Sequence, residues 1–190
     1  SKSKQIKFIN TRHEQIAAHA ADGYARATNK ASVLLSHLSP GLTNAATGVA
    51  NAALDSIPMV VIAGDVPTHY YGKHPHQEVN LHADASQSEI YRPFVKRAWR
   101  VDQPHLFPEI IEKAFALAES GRPGPVLVDV PMDIFSAEID LALWKRTLAN
   151  TKALHKPSLG DETAEEIVRA LLAAKTPLMY VGGGILLADA

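Results

Sequence analysis

The chain has 190 residues, 46% of them hydrophobic, so it is long enough for one domain with a buried core and part of a second. Its 19 basic and 20 acidic residues nearly balance in charge and form no basic stripe, which argues against a nucleic-acid partner. The sequence has no cysteine, which excludes disulfides, thiolate nucleophiles and cysteine zinc sites. No signal peptide and no run of about 18 apolar residues is found, so we expect no membrane partner and a cytoplasmic location.

Short apolar runs with helical stretches between them indicate a parallel sheet. The predicted strands cover residues 6–9, 32–35, 59–63, 94–101, 126–130 and 178–181. The predicted helices cover residues 14–27, 42–54, 106–119 and 162–174, where apolar residues recur at spacings of three and four. The run MVVIA at 59–63 has no polar alternation, as expected of a strand covered on both faces. The predicted fold class is therefore α/β, a three-layer domain with a central parallel sheet.

Glycine, proline and small polar residues at 149–160 indicate a linker after a first domain at 1–148. The helix predicted beyond it leads through a short strand to Gly182-Gly183-Gly184. Residues 161–190 are therefore interpreted as the beginning of a second α/β domain, cut off by the end of the chain.

The first candidate site is Arg12-His13-Glu14-Gln15, where a predicted strand gives way to a helix. Ligands of open parallel sheets lie outside the carboxyl ends of the strands, and a carboxylate there suits acid/base chemistry. The alternative is an ordinary charged helix start, because acidic residues favour the positive end of a helix.

The second candidate is Ser39-Pro40-Gly41-Leu42-Thr43-Asn44, which follows a predicted strand directly. A Pro-Gly turn lets backbone approach a ligand closely, and the amides of the next helix start suit an anion or a polar ring edge. The same residues could equally form an ordinary turn with a helix cap.

The third candidate is a histidine-rich stretch that contains His69, His74, His76 and His82. Neutral imidazoles bind transition metals, but the spacing lacks the i, i+4 pattern of helical zinc motifs and is interrupted by Pro75. We therefore predict no metal site and interpret the stretch as an active-site loop.

Four segments in order resemble the N-terminal domain of the thiamine-diphosphate-dependent enzymes that include acetolactate synthase, pyruvate oxidase and 2-keto acid decarboxylases. They are RHEQIAAHAADGYARAT at 12–28, SPGLTNAATGVANAALDSIPMVVIAGDVP at 39–67, HPHQE at 74–78 and SGRPGPVLVDVPMDI at 120–134. The resemblance covers residues 8 to 133. It implies a thiamine-diphosphate-binding fold, with 1–148 as the pyrimidine-binding domain that lacks its first strand and helix.

The resemblance also implies roles for particular residues. Glu14 matches the glutamate that hydrogen-bonds the aminopyrimidine ring and activates thiamine diphosphate, and such a group is expected to be partly desolvated with a raised pKa. Pro40, Gly41 and Asn44 would lie near the pyrimidine. His76 and Gln77 would face the reacting carbon and a small 2-keto acid, which the enzyme would decarboxylate or carboligate.

Further expectations follow from what the resemblance places elsewhere. The family holds the diphosphate through Mg²⁺ with a Gly-Asp-Gly motif that this sequence does not contain, so Mg²⁺ is expected on a domain outside this chain. The family's site forms between subunits, which implies a homodimer or homotetramer and an inactive fragment.

The sequence departs from the family pattern at two positions, and two other interpretations of its function stay open. Ser39 stands where the family usually has glycine, and His76 where acetolactate synthase-like members have phenylalanine; the histidine suggests proton relay or a polar acceptor. One rival is a noncatalytic regulatory or structural domain of the same fold. The other is a nucleotide module on the Gly182 turn that could bind FAD.

Overall fold

A computed structural model describes residues 6–73, 76–79, 86–150 and 158–188 of the chain. The chain divides into two compact units, Ser1–Ala153 and Leu154–Ala190. The first unit contains the sheet and all the candidate site residues, and the two units are described separately.

Four parallel strands form the sheet in the described part of the first unit. They are β1 (Ser32–His37), β2 (Met59–Asp65), β3 (Ala98–Arg100) and β4 (Pro125–Pro131). Their order in the sheet is β1-β2-β4-β3, and all three pairings are parallel. This arrangement, with helices on both faces, confirms the predicted α/β fold class.

The helices that precede, connect or follow these strands are α1 (Glu14–Thr28), α2 (Leu38–Leu54), α3 (Phe107–Glu119), α4 (Met132–Phe135) and α5 (Leu141–Asn150). Helix α1 begins after His13, whose side chain accepts a hydrogen bond from the backbone N–H of Gln15. It ends at Asn29, which adopts the left-handed conformation that commonly terminates helices. The ends of α1 therefore follow from local capping chemistry.

Each face of the sheet buries its own apolar layer. Val60, Val126 and Val128 pack with Ala114 and Ala118 of α3 in one core cluster. On the opposite face, the register aligns Leu34 with Val61 and Val61 with Leu127, all of them buried, and α2 packs against β1 and β2. Strands β2 and β4 are covered on both faces, which explains their continuous apolar runs, whereas β1 alternates buried and exposed residues.

Three predicted strands require correction. Residues 6–10 have no regular secondary structure and pair with no described strand, although their apolar run resembles one. Of the strand predicted at 94–101, only Ala98–Arg100 forms, because the preceding Gln87–Phe94 is a 3-10 helix containing Pro93, which cannot donate to a strand ladder. Residues 178–181 are also irregular, since no strand within 158–188 is available to pair with them.

Helix α2 begins four residues before the predicted start at residue 42. Pro40 and Gly41 therefore lie in its first turn rather than in a loop before it. Proline is tolerated there because the first N–H groups of a helix have no intrahelical partner. Leu38 adopts a φ of 50°, so the chain passes from β1 into α2 through a single left-handed residue.

The second unit contains helix α6 (Asp161–Ala173) and the short helix α7 (Gly184–Ala188). Residues 149 and 150, predicted as linker, belong to α5 of the first unit. The assignment of 161–190 to the beginning of a second α/β domain stays a prediction. Within the described ranges, no helix is long and apolar enough to cross a membrane.

Helices α1 and α2 cross at Gly48, which gives the first testable prediction. A Cβ on Gly48 would lie 2.5 Å from Ala18 Cβ and 3.1 Å from the backbone of Ala18 and His19, none of which can rotate away. Gly48→Ala is expected to destabilise the chain by about 2 kcal/mol, since overpacking outweighs alanine's better helix propensity. Chemical denaturation measures the change.

Gly23 of α1 supplies the matched control, because a Cβ there meets nothing within 4 Å. Gly23→Ala is expected to stabilise the chain by about 0.5–1 kcal/mol through helix propensity alone. Equal effects of the two substitutions would show that α1 and α2 do not approach closely at Gly48.

Candidate functional site

The polar candidates meet at the carboxyl edge of the sheet. The register pairs His37 of β1 with Gly64 of β2, and Asp65 of β2 with Pro131 of β4, so these strand ends lie side by side. Helix α1 precedes β1 and runs back along the sheet, which brings its first residue, Glu14, to the same edge. The parallel topology therefore assembles a site from residues that are distant in sequence.

Glu14 and Asn44 are joined directly. The side-chain amide nitrogen Nδ2 of Asn44 donates a hydrogen bond of 3.0 Å to Glu14 Oε2. A Cβ on Gly41 would lie 3.6 Å from Glu14 Oε1 and 2.5 Å from Ser36 Oγ. Two of the predicted cofactor-binding residues, Gly41 and Asn44, thus lie next to the predicted catalytic carboxylate.

The electrostatics of Glu14 differ from the expectation of a raised pKa. Its pKa is lowered, chiefly by the hydrogen bond from Asn44 and next by that from its own backbone N–H, with smaller contributions from the charges of His13 and His37. Desolvation acts in the opposite direction but is weaker, because Glu14 is only partly buried in this chain. Glu14 is therefore held as a carboxylate.

A pocket with a volume of about 510 Å³ opens beside Glu14. Its polar side includes Arg12, His13, His37 and Asp65, and its apolar side is formed by the residues Phe8, Ile9, Leu35, Met132 and Phe135. Sequence reasoning missed His37, Asp65, Met132 and Phe135 as site residues. All four lie at or just beyond the ends of β1, β2 or β4, so applying the strand-end rule to every strand would have found them.

An ion pair ties Asp65 of β2 to Arg100 of β3, across the end of β4, which lies between these two strands. Asp65 Oδ2 accepts a hydrogen bond of 2.7 Å from Arg100, whose guanidinium lies 3.6 Å from the centroid of the Tyr71 ring. Burial raises the pKa of Asp65, and the positive charge of Arg100 opposes that rise. This pair fixes one wall of the pocket, since a carboxylate in such a bond is not free to rotate.

The predicted substrate-facing residues lie on a different part of the edge. Gln77 is exposed, and its backbone carbonyl accepts a hydrogen bond of 3.3 Å from the N–H of Ser39. His76 is exposed as well, and neither residue lines the pocket beside Glu14. Pro40 is exposed, with its carbonyl accepting a hydrogen bond from Thr43 Oγ1.

The histidine-rich stretch is only partly covered by the structure. His69 stacks on Tyr70 at 4.4 Å between ring centroids, whereas His74 and His82 lie outside the described residues. Among the residues that are described, no three histidine or acidic side chains form a group that could hold a metal ion.

Comparison with known proteins decides the family. Residues 1–87 match the family model described as the thiamine pyrophosphate enzyme, N-terminal TPP binding domain. The chain belongs to the thiamine pyrophosphate enzyme family. Its similarity to curated relatives extends over nearly its whole length.

Three of these relatives are named as acetolactate synthases. The acetolactate synthase of Arthrospira platensis is 41% identical over 98% of this chain and 31% of its own length. The acetolactate synthase isozyme 3 large subunit of Escherichia coli is 41% identical over 96% of this chain and 31% of its own length. The acetolactate synthase large subunit of Corynebacterium glutamicum is 39% identical over 99% of this chain and 29% of its own length. The chain therefore spans about a third of the length of the curated relatives it matches.

Proposed function

We propose that this chain supplies the cofactor-activating part of a thiamine-diphosphate-dependent enzyme that decarboxylates or carboligates a small 2-keto acid. The observation that carries the proposal is the Glu14 carboxylate, fixed by Asn44 at 3.0 Å and facing a pocket at the carboxyl edge of the sheet. The names of the relatives favour an acetolactate synthase-like reaction.

The residues around Glu14 fit a flat polar ring. Gly41 leaves open the space that a Cβ would fill between Ser36 and Glu14. Ser36 Oγ is buried and has no hydrogen-bond partner in the portion of the chain that is described, so a polar ligand atom could satisfy it. The Glu14 carboxylate, the open space at Gly41 and the unpaired Ser36 hydroxyl together favour a ligand with hydrogen-bonding groups on its edge.

Thiamine diphosphate, when bound, supplies an acidic carbon and an electron sink for cleavage beside a carbonyl group. The chain's own contribution is to hold and move a proton. The Asn44 amide donates to Glu14 Oε2 and favours the ionised carboxylate, so Glu14 could accept a hydrogen bond from a ring nitrogen that carries a proton, or take up that proton. Arg12 contributes a positive charge to the lining of the same pocket.

Other parts of the proposal rest on the family resemblance. Pro40 would lie near the pyrimidine, and His76 and Gln77 would face the substrate. Mg²⁺ would be held by a domain outside this chain, and the enzyme would be a homodimer or homotetramer. No residue of the described chain specifically supports FAD.

Carbon dioxide release from a panel of 2-keto acids tests the proposal in the full-length protein that carries this chain. Release is expected only when both thiamine diphosphate and Mg²⁺ are present, and for a subset of the acids. Absence of release from every acid, with the cofactors supplied and the protein folded, would refute the catalytic assignment and favour a noncatalytic domain of the same fold.

A further inference from the structure

A buried side chain links the sheet to the start of α2. Gln87 is 1% exposed, and its Nε2 donates hydrogen bonds of 2.9 Å to the carbonyl of Gly64 and 2.7 Å to Asp129 Oδ1. Its Oε1 accepts a bond of 3.1 Å from the hydroxyl of Ser39, which is fully buried. Gln87 thereby joins β2, β4 and α2 through three bonds of one amide group.

Ser39 also holds the segment that carries the proposed substrate-facing residues. Its Oγ accepts a hydrogen bond of 2.8 Å from the N–H of Val79, and its own N–H donates to the carbonyl of Gln77 at 3.3 Å. Gln77 has a φ of 67°, a left-handed conformation that is unfavourable for a side chain with a Cβ. A residue in that conformation requires surrounding bonds to hold it there.

We propose that Ser39 and Gln87 form a buried hydrogen-bonded clamp that positions residues 76–79, and with them His76 and Gln77, against the start of α2. Ser39 is then a positioning residue, because it acts on substrate through the segment it holds. Its substrate role rests on the proposed function. Glycine at position 39 could not make either hydroxyl bond, so the clamp depends on the serine.

The hydrogen bonds of the clamp fix the orientation of each side chain that takes part in it. Both hydrogens of the Gln87 amide are used, which fixes its orientation and leaves Oε1 facing Ser39. With Gln87 Oε1 as its acceptor, the Ser39 hydroxyl offers a lone pair to Val79. The direction of each bond in the chain is thus determined by the one before it.

Ser39→Ala in the full-length protein tests the clamp through two measurements. Hydrogen exchange at the Val79 amide is expected to become about tenfold faster, the equivalent of one lost hydrogen bond. The KM for the best 2-keto acid is expected to rise by a similar factor, about tenfold, while the dissociation constant for thiamine diphosphate stays unchanged. A serine with a merely structural role would not separate these two constants.

Two further variants sharpen the result. Gln87→Met removes the partner of the Ser39 hydroxyl but leaves that hydroxyl able to bind Val79, so Val79 exchange should rise less than in Ser39→Ala. Ser120→Ala is the matched control, because its hydroxyl donates a hydrogen bond to the carbonyl of Leu117 at the end of α3, away from Ser39. If Gln87→Met does not fold, Ser39→Ala alone decides.

Unchanged Val79 exchange in Ser39→Ala would overturn the clamp. A parallel loss of cofactor affinity, KM and thermal stability would also overturn it, because that pattern indicates general disruption of α2. Failure of the proposed function looks different: the parent itself would show no cofactor-dependent release. Faster hydrogen exchange at Val79 in Ser39→Ala would then still support the clamp, but the role of the clamp in substrate binding would be refuted.

Discussion

Glu14→Gln is expected to lower thiamine-diphosphate-dependent carbon dioxide release by at least about a hundredfold, the usual size of a general acid/base contribution. Glutamine keeps a carbonyl oxygen that can accept the bond from Asn44 Nδ2, so the local geometry should survive. The substitution removes the negative charge and the ability to take up a proton. The measurement is kcat for the best substrate at saturating cofactor.

Two companions make this test specific. Glu109→Gln removes an exposed acid of α3 that pairs with Lys113, and it should leave kcat unchanged. Asn44→Ala removes the largest cause of the lowered pKa of Glu14, so that pKa should rise toward its ordinary value, as followed by NMR titration of the carboxyl carbon. A Glu14→Gln protein as active as the parent would contradict the proposed role of Glu14.

The fold was largely predictable because its two central strands, β2 and β4, are buried on both faces. The runs at 32–35, 59–63 and 126–130 are continuous and apolar, and each forms a strand within three residues of the predicted ends. The run at 6–9 has similar composition but is irregular, since strand formation requires a hydrogen-bonded neighbour and composition does not report one. Long-range pairing decides such short segments.

The site was predictable only in part, and the reason is again long-range geometry. The family resemblance selected Glu14, Gly41 and Asn44 as candidates, and the structure places these three residues next to one another. Asp65 and His37 belong to no local motif, although the strand-end rule applied to β1 and β2 would have selected both. The register then shows that these two strand ends lie side by side.

The lowered pKa of Glu14 illustrates a further limit. The expectation of a raised pKa assumed a desolvated carboxylate, whereas the pocket beside Glu14 is open and Asn44 donates to it. Opposing effects of burial and hydrogen bonding cannot be weighed from residue identities alone. Covering the pocket with a ligand or a partner would increase the desolvation of Glu14 and so raise its pKa.

Asp129 provides the second prediction of large effect. It is fully buried in β4, and its Oδ2 lacks a hydrogen-bond partner among the described residues, while Oδ1 accepts from Gln87. Burial raises its pKa to about 7, with a further rise from the charges of Asp65 and Glu78; the Gln87 bond and Arg100 oppose this. The folded protein therefore favours the protonated form.

The sign of the pH dependence follows directly. A carboxyl group whose pKa is higher in the folded than in the unfolded chain stabilises the fold at low pH, and that stabilisation is lost as pH rises through the folded pKa. Asp129 should thus lower the free energy of unfolding as pH rises from about pH 4 to pH 7, by about 4 kcal/mol in all at 1.36 kcal/mol per pKa unit.

Asp129→Asn isolates this contribution, because asparagine keeps the oxygen that accepts from Gln87 and carries no charge at any pH. Chemical denaturation at about pH 4.5 and about pH 8 brackets most of the range in which the Asp129 contribution is lost. The free energy of unfolding of the variant should increase relative to that of the parent between these two pH values. Asp102→Asn, at an exposed position, should follow the parent at both pH values. If the Asp129→Asn and parent profiles ran parallel, the buried carboxyl would be ionised throughout this range, and the Ser39–Gln87–Asp129 network would contain a permanent charge.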